Sequence, residues 1–266
     1  MTAEVRERYD QEVRQGPVTP DPRYRVEWDG PVYRLTGPGP EPHDNAVLFA
    51  RFAPGEDPGA HVARQVAHFA RLGHAFEWQL HDHDRPPGLA EHLRAAGLVP
   101  GEPETVAVAS LTSFEPACEP DPELELVRLS PEDPLDPVGA LNQAVYGDPD
   151  HAAYLVRSLT AERAADPRAL SVYVARARGQ VVAAGWSRFP AQGSFVSLWG
   201  GATLSAWRGK GIYRRLVAAR AAEARARGHL HLVVHAGPQS WPILARLGFA
   251  RASVLTPWTW QPASPA

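Results

Sequence analysis

The segment Arg208-Gly-Lys-Gly211 has the residue types of an anion-binding loop. A predicted strand ends just before it at Leu204, and apolar residues at helical spacing follow it over 212–217. The first turn of any helix carries unpaired backbone N–H groups and about half a positive charge from the helix dipole. Glycines let phosphate oxygens approach the backbone, and Arg208 and Lys210 add side-chain charge. The pattern predicts a pyrophosphate site, with a tight strand–helix turn carrying solvated basic residues as the alternative.

The spacing of the glycines does not fit two common nucleotide-binding motifs. A P-loop needs Gly-Lys-Ser/Thr after four spacer residues, and no such run occurs here. The dinucleotide fingerprint Gly-x-Gly-x-x-Gly would need a third glycine at the position of Arg214. Both motifs are therefore excluded as explanations of this loop.

The loop instead resembles the signature of the GNAT acetyltransferase superfamily, Gln/Arg-x-x-Gly-x-Gly/Ala. Arg208 and Gly211 occupy its first and fourth positions, and Tyr213 stands where Gly or Ala is usual. The ending Leu247-Gly-Phe249 resembles the second motif of that superfamily. The resemblance covers about 124–262, and the first half resembles a degenerate copy of the same fold, as in tandem-GNAT proteins.

The resemblance implies an α/β (α+β) fold with two GNAT-like domains. Each domain is expected to be a mixed, mostly antiparallel sheet flanked by helices. The sheet of the C-terminal domain is expected to splay apart at the cofactor site.

The resemblance also implies how acetyl-CoA (coenzyme A) would bind. The backbone of residues 202–204 should pair with the pantetheine arm as an added strand does. Backbone N–H groups of residues 208–213 should hold the pyrophosphate, and a serine should lie near the thiol end. The implied cofactor-binding residues are Ala202, Thr203, Leu204, Arg208, Gly209, Lys210, Gly211, Ile212, Tyr213 and Ser240.

The usual proton-transfer groups of the superfamily are missing from this sequence. Acyl transfer from a thioester to an amine needs a base for the ammonium proton and an acid for the leaving thiolate. The predicted strand Ser194–Leu204 contains no Asp or Glu. Leu244 stands where many members carry the tyrosine acid. Other residues must therefore supply these functions if the protein is an enzyme.

Histidines near the predicted strand 229–235 are the substitutes for the base. By alternation, His229, His231 and His235 are expected on one strand face, with His235 nearest the end where the sheet should open. An imidazole titrates in the working range for proton transfer, so His235 is the candidate for the catalytic base. A structural or solvent-facing role is the alternative. Tyr213 and Ser240 are weaker candidates for the acid.

These features predict an acyl-CoA-dependent N-acyltransferase of the EC 2.3.1 class. It would transfer an acetyl or other acyl group from acetyl-CoA to an amine of a small molecule or peptide, by direct attack in a ternary complex. A non-catalytic acyl-CoA-binding or sensing protein with the same fold is the alternative, because the usual base and acid are absent.

The run His81-Asp-His-Asp84 has the residue types of a metal site. Alternate residues of a strand face opposite ways, so the four side chains converge only if the chain turns there. We predict no metal site and expect Asp84 or its neighbours to serve the start of the following helix.

The composition limits the other function classes. The net charge of −3 argues against nucleic acid or a membrane surface as a partner. The eight tryptophans are therefore expected in cores and pockets. One cysteine, Cys118, precludes a disulfide within the chain. The charged N-terminus and the lack of a membrane-length apolar run predict a cytoplasmic protein, monomeric or homodimeric.

The chain is expected to divide into four parts. These are a flexible N-terminal arm (1–22), a degenerate GNAT-like domain (23–112), a proline-rich acidic linker (113–123) and the acetyltransferase domain (124–262). An echo of helix–Gly–His–strand–turn–helix–Gly at 72–98 and 227–249 supports two related domains, with chance similarity as the alternative. The acidic loop Pro54–Gly59 predicts that the first domain holds no coenzyme A.

Overall fold

The computed structural model describes residues 2–17, 19–116 and 121–263. Cys118, on which the prediction about disulfides rests, lies outside these residues. The chain divides into two compact units. The first unit comprises Met1–Ala107, His235–Pro242 and Arg251–Ala266, and the second comprises Val108–Val234 and Ile243–Ala250.

The helices and strands follow the sequence pattern closely. The α-helices are α1 (Ala3–Tyr9), α2 (Pro58–Leu72), α3 (Leu89–Ala95), α4 (Asp136–Tyr146), α5 (Pro149–Ala165), α6 (Ile212–Ala226) and α7 (Trp241–Arg246). The strands are β1 (Arg25–Asp29), β2 (Val32–Thr36), β3 (Ala46–Ala50), β4 (Phe76–His81), β5 (Val99–Pro100), β6 (Glu104–Ser110), β7 (Glu125–Arg128), β8 (Leu170–Ala177), β9 (Gln180–Arg188), β10 (Phe195–Thr203), β11 (His231–Ala236) and β12 (Ala250–Trp260). Short 3-10 turns cover Pro42–Asp44 and Ser205–Trp207, and a π-helical turn, Asp10–Arg14, continues α1.

The first unit is built on an antiparallel meander followed by a parallel pair. Strands β1, β2 and β3 pair antiparallel in order, and β3 pairs parallel with β4 across the crossover helix α2. Strand β12 pairs antiparallel with β4, and β5 pairs with β12. Phe69, Phe76, Trp78 and Leu93 lie in the core between this sheet and its helices.

The N-terminal segment is part of the first unit. Thr2 caps α1 by accepting a hydrogen bond from the backbone N–H of Val5, so a helix begins there as expected. Tyr9 and Arg14 are almost completely buried. The guanidinium of Arg14 donates two hydrogen bonds of 2.8 Å to the carboxylate of Asp84. The expectation of a loosely held arm is therefore wrong for residues 9–14, because the buried side chains of Tyr9 and Arg14 bind residues far away in the sequence.

The second unit has the same order of pairing. Strands β7, β8, β9 and β10 pair antiparallel in order, and β10 pairs parallel with β11 across α6. Alternation along the strands separates two cores: α4 and α5 pack on the face that carries Val172 and Trp186, and α6 packs on the face that carries Ala183. Helices therefore cover both faces of this sheet.

The sequence predicted that the last strand completes the second domain, and this prediction is wrong. Strand β12 pairs with β4 from Leu255↔His81 to Trp260↔Phe76, so it belongs to the first unit. The segment His235–Pro242 also belongs to that unit. The amphipathic pattern of a strand identifies its buried face but not its pairing partner, which is why the predicted boundary at 262 differs here.

Candidate functional site

The predicted loop lies at an uncapped helix N-terminus in the second unit. Gly211 is the N-cap of α6 in the left-handed region (φ 74°), and no side chain caps the helix there. Gly209 is also left-handed, at φ 78°. A Cβ atom at either glycine would meet nothing within 4 Å. The first-turn N–H groups of α6 therefore lack a helical acceptor and face a loop surface with room for a ligand.

The two basic side chains of the loop are held close to it. Nε of Arg208 donates to the backbone oxygen of Thr203 at 3.1 Å, which ties the loop to the end of β10. The ammonium of Lys210 lies 4.3 Å from the ring centre of Trp207, a cation–π contact. No Asp or Glu occurs between Leu204 and Arg215. The loop is therefore a small, positively charged surface.

Strand β10 changes its geometry where the cofactor arm was expected. Its parallel pairing with β11 runs over three residue pairs, ending at Ser197↔Val233. Beyond that point the pairing with β9 shifts register between Gly200 and Ala202, which is a β-bulge. Gly200 and Gly201 both have positive φ, at 73° and 109°. A bulge of this kind re-aims backbone groups, so the predicted contact region 202–204 follows a deliberate break in the ladder.

Tyr213 turns its ring toward the sheet instead of the loop surface. A Cβ atom on Gly201 would lie 2.9 Å from the Tyr213 ring, so the ring occupies the space that this glycine leaves. Burial raises the pKa of the Tyr213 hydroxyl. A hydroxyl with a raised pKa is a poorer acid near neutrality, which weighs against the predicted acid role. Its backbone N–H still lies in the first turn of α6.

The predicted base His235 lies in the first unit within a buried relay. The Tyr9 hydroxyl lies 3.3 Å from Nε2 of His81 and 3.0 Å from Nε2 of His235. Nδ1 of His81 lies 3.4 Å from the carbonyl of Gln79, which only accepts, so the His81 proton is assigned to Nδ1. Burial and the charge of Arg14 hold the pKa of His81 well below its usual range, so the ring is neutral. Tyr9 then donates to His81 and accepts from Nε2–H of His235, which leaves the His235 lone pair on Nδ1.

The protonation of His235 limits what it can do. Burial and the nearby Arg14 guanidinium lower the pKa of His235 to about 4. The imidazole is therefore neutral near pH 7, but it is a weak base, because an efficient general base has a pKa near the working pH. Its role in proton transfer remains a prediction that needs its own test.

The other candidate residues near β11 are placed differently from one another. Ser240 belongs to the first unit, and its hydroxyl donates to the backbone oxygen of Gly237 at 3.2 Å. His231 begins β11 in the second unit, with its ring centre 4.8 Å from that of Phe195. His229 precedes the strand, and its Nδ1 donates to the oxygen of Gly193. The expected row of three histidines on one strand face is therefore not formed.

The run His81–Asp84 is committed to other side chains of the first unit. His83 lies 3.0 Å from a carboxylate oxygen of Asp10 and 2.9 Å from the hydroxyl of Ser253. Asp84 accepts from Arg14 and from the backbone N–H of His81. The sequence suggested that Asp84 caps the following helix, but it does not. Helix α3 begins later, with left-handed Gly88 as its N-cap and no side-chain cap. Among the described residues, no group of three or more His, Cys, Asp or Glu is arranged to hold a metal ion.

The sequence model of the acetyltransferase (GNAT) family matches residues 137–249, which include β10, the glycine loop and α6. Residues 137–249 belong to the GNAT superfamily. No match was found among curated proteins.

Three solved structures are similar in fold to most of this chain. A GCN5-related N-acetyltransferase from Kribbella flavida is 15% identical, with a TM-score of 0.65, and covers 99% of this chain and 96% of its own. A tandem GNAT protein from the clavulanic acid biosynthesis pathway is 13% identical with a TM-score of 0.65, over 92% and 85% of the two chains. A GCN5-related N-acetyltransferase from Sphaerobacter thermophilus is 15% identical with a TM-score of 0.65, over 87% and 76%. At these identities the likeness establishes the fold alone.

The sequence did not indicate the structural roles of Tyr9, His81 and Arg220. Tyr9 and His81 hold the His235 ring in one tautomer, and Arg220 donates to backbone carbonyls beneath the bulge of β10. A signal for Arg220 existed: it lies seven residues after Tyr213, on the apolar face of a helix. No comparable local signal marks Tyr9, whose partners are more than seventy residues away. Across the residues that the structure describes, no helix has the length and apolar character to cross a membrane.

Proposed function

We propose that the protein is an N-acyltransferase that uses acetyl-CoA and acts on an amine of a small molecule or peptide. The observation that carries the proposal is the uncapped N-terminus of α6 behind a basic, carboxylate-free Gly-x-Gly loop. Anions bind at such termini because the unpaired N–H groups and the helix dipole both favour negative charge. The pyrophosphate of coenzyme A fits this loop, since the positions of both missing Cβ atoms are open.

In this proposal each part of the second unit has one task. Backbone N–H groups of residues 208–213 hold the pyrophosphate, with Arg208 and Lys210 adding charge. The backbone of residues 202–204, beyond the bulge, pairs with the pantetheine arm. When bound, acetyl-CoA supplies an acyl group activated as a thioester. The protein then contributes by orienting that group toward the amine, which alone can provide much of a rate enhancement.

The first unit is proposed to be a related fold without a cofactor. It repeats the order of meander, crossover helix and parallel strand that the second unit shows. Its crossover helix α2 is capped by Asp57, whose carboxylate accepts from the N–H of Gly59 at 2.9 Å. A carboxylate of the chain thus occupies the position that a phosphate would need. We propose that this unit serves packing and substrate binding.

A second candidate function has a specific observation in its favour. The protein would bind acyl-CoA without transferring the acyl group. Strand β10 has no carboxylate, and the pKa of His235 is lowered to about 4, so a competent base is not evident among the predicted residues. This candidate shares the cofactor loop and differs only in the chemistry.

One experiment separates the two functions. The protein is incubated with acetyl-CoA and a broad amine library, and free thiol is followed with a chromogenic reagent. Binding of acetyl-CoA is measured in parallel by calorimetry. Thiol release that depends on an amine supports the transferase. Binding without release for any amine supports the second candidate, and absence of binding contradicts both.

A further inference from the structure

Arg220 of α6 is a buried cation beneath strand β10. Its side chain is only 1% exposed. Burial lowers its pKa to about 10, and the groups that favour its charge are Tyr213 and Tyr173, not a carboxylate. It therefore stays charged near pH 7, and among the described residues no Asp or Glu forms a salt bridge with it, although a counter-ion is usual for a buried arginine.

Nε and Nη1 of Arg220 donate to backbone oxygens. Nε donates to Leu216 of the same helix at 3.0 Å. Nη1 donates to the oxygens of Trp186 in β9, at 3.2 Å, and Trp199 in β10, at 3.1 Å. These two tryptophans are partners in the antiparallel register, directly before the bulge at Gly200. Arg220 thus donates hydrogen bonds to both β9 and β10 at the point where the regular pairing of β10 ends.

Two glycines of the sheet make room for this face of α6. A Cβ atom on Gly185 would lie 3.0 Å from Nη1 of Arg220, and one on Gly201 would lie 2.9 Å from the ring of Tyr213. Arg220 and Tyr213 are seven residues apart, so they lie on the same face of the helix. Helix α6 therefore packs against the sheet near the bulge of β10 through two side chains, Arg220 and Tyr213.

Packing alone does not account for an arginine here. A guanidinium loses its hydration on burial, and without a carboxylate only hydrogen bonds offset that loss. An apolar side chain of similar volume would fill the same space without this penalty. The carbonyl of Trp199 thus accepts a hydrogen bond from a charged donor, although an apolar residue at position 220 would have filled the core.

We infer that Arg220 is a positioning residue for the acyl-thioester end of coenzyme A. By holding the Trp199 carbonyl on the α6 side of the sheet, it fixes the backbone of residues 200–202 just before the segment proposed to pair with pantetheine. Its fixed charge beneath this backbone also favours the partial negative charge of a thioester oxygen. The inference rests on the proposed function, and it assigns Arg220 no contact with the pyrophosphate.

The test compares Arg220→Met and Arg220→Lys with wild type. Arg157→Met, an exposed arginine of α5 in the same unit, is the control for loss of one charge. Calorimetry gives the Kd of acetyl-CoA, of coenzyme A and of 3′-phospho-ADP (adenosine 3′-phosphate 5′-diphosphate), which keeps the pyrophosphate and the 3′-phosphate and lacks the pantetheine arm. Amide NMR resonances of Gly200 and Gly201 are recorded without any ligand, and thermal unfolding shows that each variant is folded.

The inference predicts that Arg220→Met weakens acetyl-CoA binding at least about tenfold, the size of one lost hydrogen bond from a charged group. The Kd of 3′-phospho-ADP should stay within about twofold, and the two glycine resonances should move. Arg220→Lys, which keeps the charge and reaches fewer oxygens, should fall between; if the Met variant does not fold, the Lys variant alone carries the comparison.

Three outcomes would overturn the inference. Unchanged acetyl-CoA binding in a folded variant would show that the binding site does not depend on Arg220. Equal losses for acetyl-CoA and 3′-phospho-ADP would show a general structural role. If wild type binds neither ligand, the proposed function itself fails, and the inference falls with it.

Discussion

At the scale of single residues, each unit contains a buried polar side chain whose hydrogen-bond donors and acceptors are matched by specific partners. Tyr9 connects two neutral imidazoles, and Arg220 connects three backbone carbonyls. Each arrangement leaves a defined consequence: a lone pair on Nδ1 of His235, and a fixed bulge in β10. Substitutions at these residues therefore test geometry and protonation instead of bulk packing.

Removing the Tyr9 hydroxyl tests the relay directly. Tyr9→Phe keeps the ring and leaves Nε2 of both His81 and His235 without this partner. We expect a loss of about 1–3 kcal/mol in the free energy of unfolding, the usual penalty for unsatisfied buried groups. Urea denaturation monitored by tryptophan fluorescence measures it. An unchanged midpoint would show that the hydroxyl is not engaged as the distances indicate.

The pH dependence of stability tests the protonation of His235. Its folded pKa is about 4, whereas an imidazole in the unfolded chain titrates near 6.5. Between these values the unfolded chain binds more protons, so stability should fall as pH drops from about 6.5 to about 4. The contribution of this one group is on the order of 3 kcal/mol across that window.

The variant His235→Gln should show a shallower decrease of Tm over the same window, because glutamine does not titrate. His81 titrates in the same direction, so the slope should be reduced and not abolished. Parallel Tm curves for wild type and variant would contradict the assignment of a neutral, buried imidazole.

At the scale of elements, helix periodicity and glycine punctuation were sufficient to predict α6, β10 and the loop between them. The bulge at Gly200 and Ala202 was not predictable, because the alternation of side chains does not show where a strand changes register. The packing of α1 was also missed. A polar helix with one tyrosine is expected to be exposed, because its sequence does not show distant partners such as Asp84, which pairs with Arg14 in the turn after α1.

The ion pair of Arg14 is the element-scale test of this packing. Its side chain is 2% exposed and the Asp84 side chain is 6% exposed. Arg14→Ala would leave the buried carboxylate of Asp84 without its cation and would remove one partner of the partly buried Asp10, which costs about 3–5 kcal/mol. The exposed Arg6→Ala in the same helix should change stability by no more than about 0.5 kcal/mol. Similar small effects in both variants would mean that the segment is loosely held after all.

At the scale of the whole molecule, each unit contains an antiparallel meander, a crossover helix and a parallel strand, but the chain does not divide between the units at a single point. Strand β12 follows the second unit in sequence and pairs within the first. The order of elements was readable from the sequence, since each element has its own local pattern. The unit to which the last strand belongs could not be predicted, because a strand can pair with any exposed sheet edge, including one that is distant in the sequence.

Trp258 tests where β12 belongs. It is 3% exposed in the core of the first unit, so Trp258→Ala should cost about 3–5 kcal/mol. Hydrogen exchange followed by mass spectrometry should show faster exchange in β4 and α3. Trp28→Ala, at a position 50% exposed in the same unit, is the control and should have little effect. Faster exchange confined to β8–β10 would place the strand in the second unit.

The claim on which the account depends is that the α6 N-terminus binds the pyrophosphate of coenzyme A. Calorimetric titration of coenzyme A into wild type, Gly211→Asp and Gly211→Asn tests it most directly. Asp and Asn have similar size and both tolerate the left-handed backbone of this position, so they differ mainly in charge. We predict binding to wild type, weaker binding to Gly211→Asn and a further loss of about tenfold or more in Gly211→Asp. Equal affinity of the Asp and Asn variants, or no binding to wild type, would contradict the site.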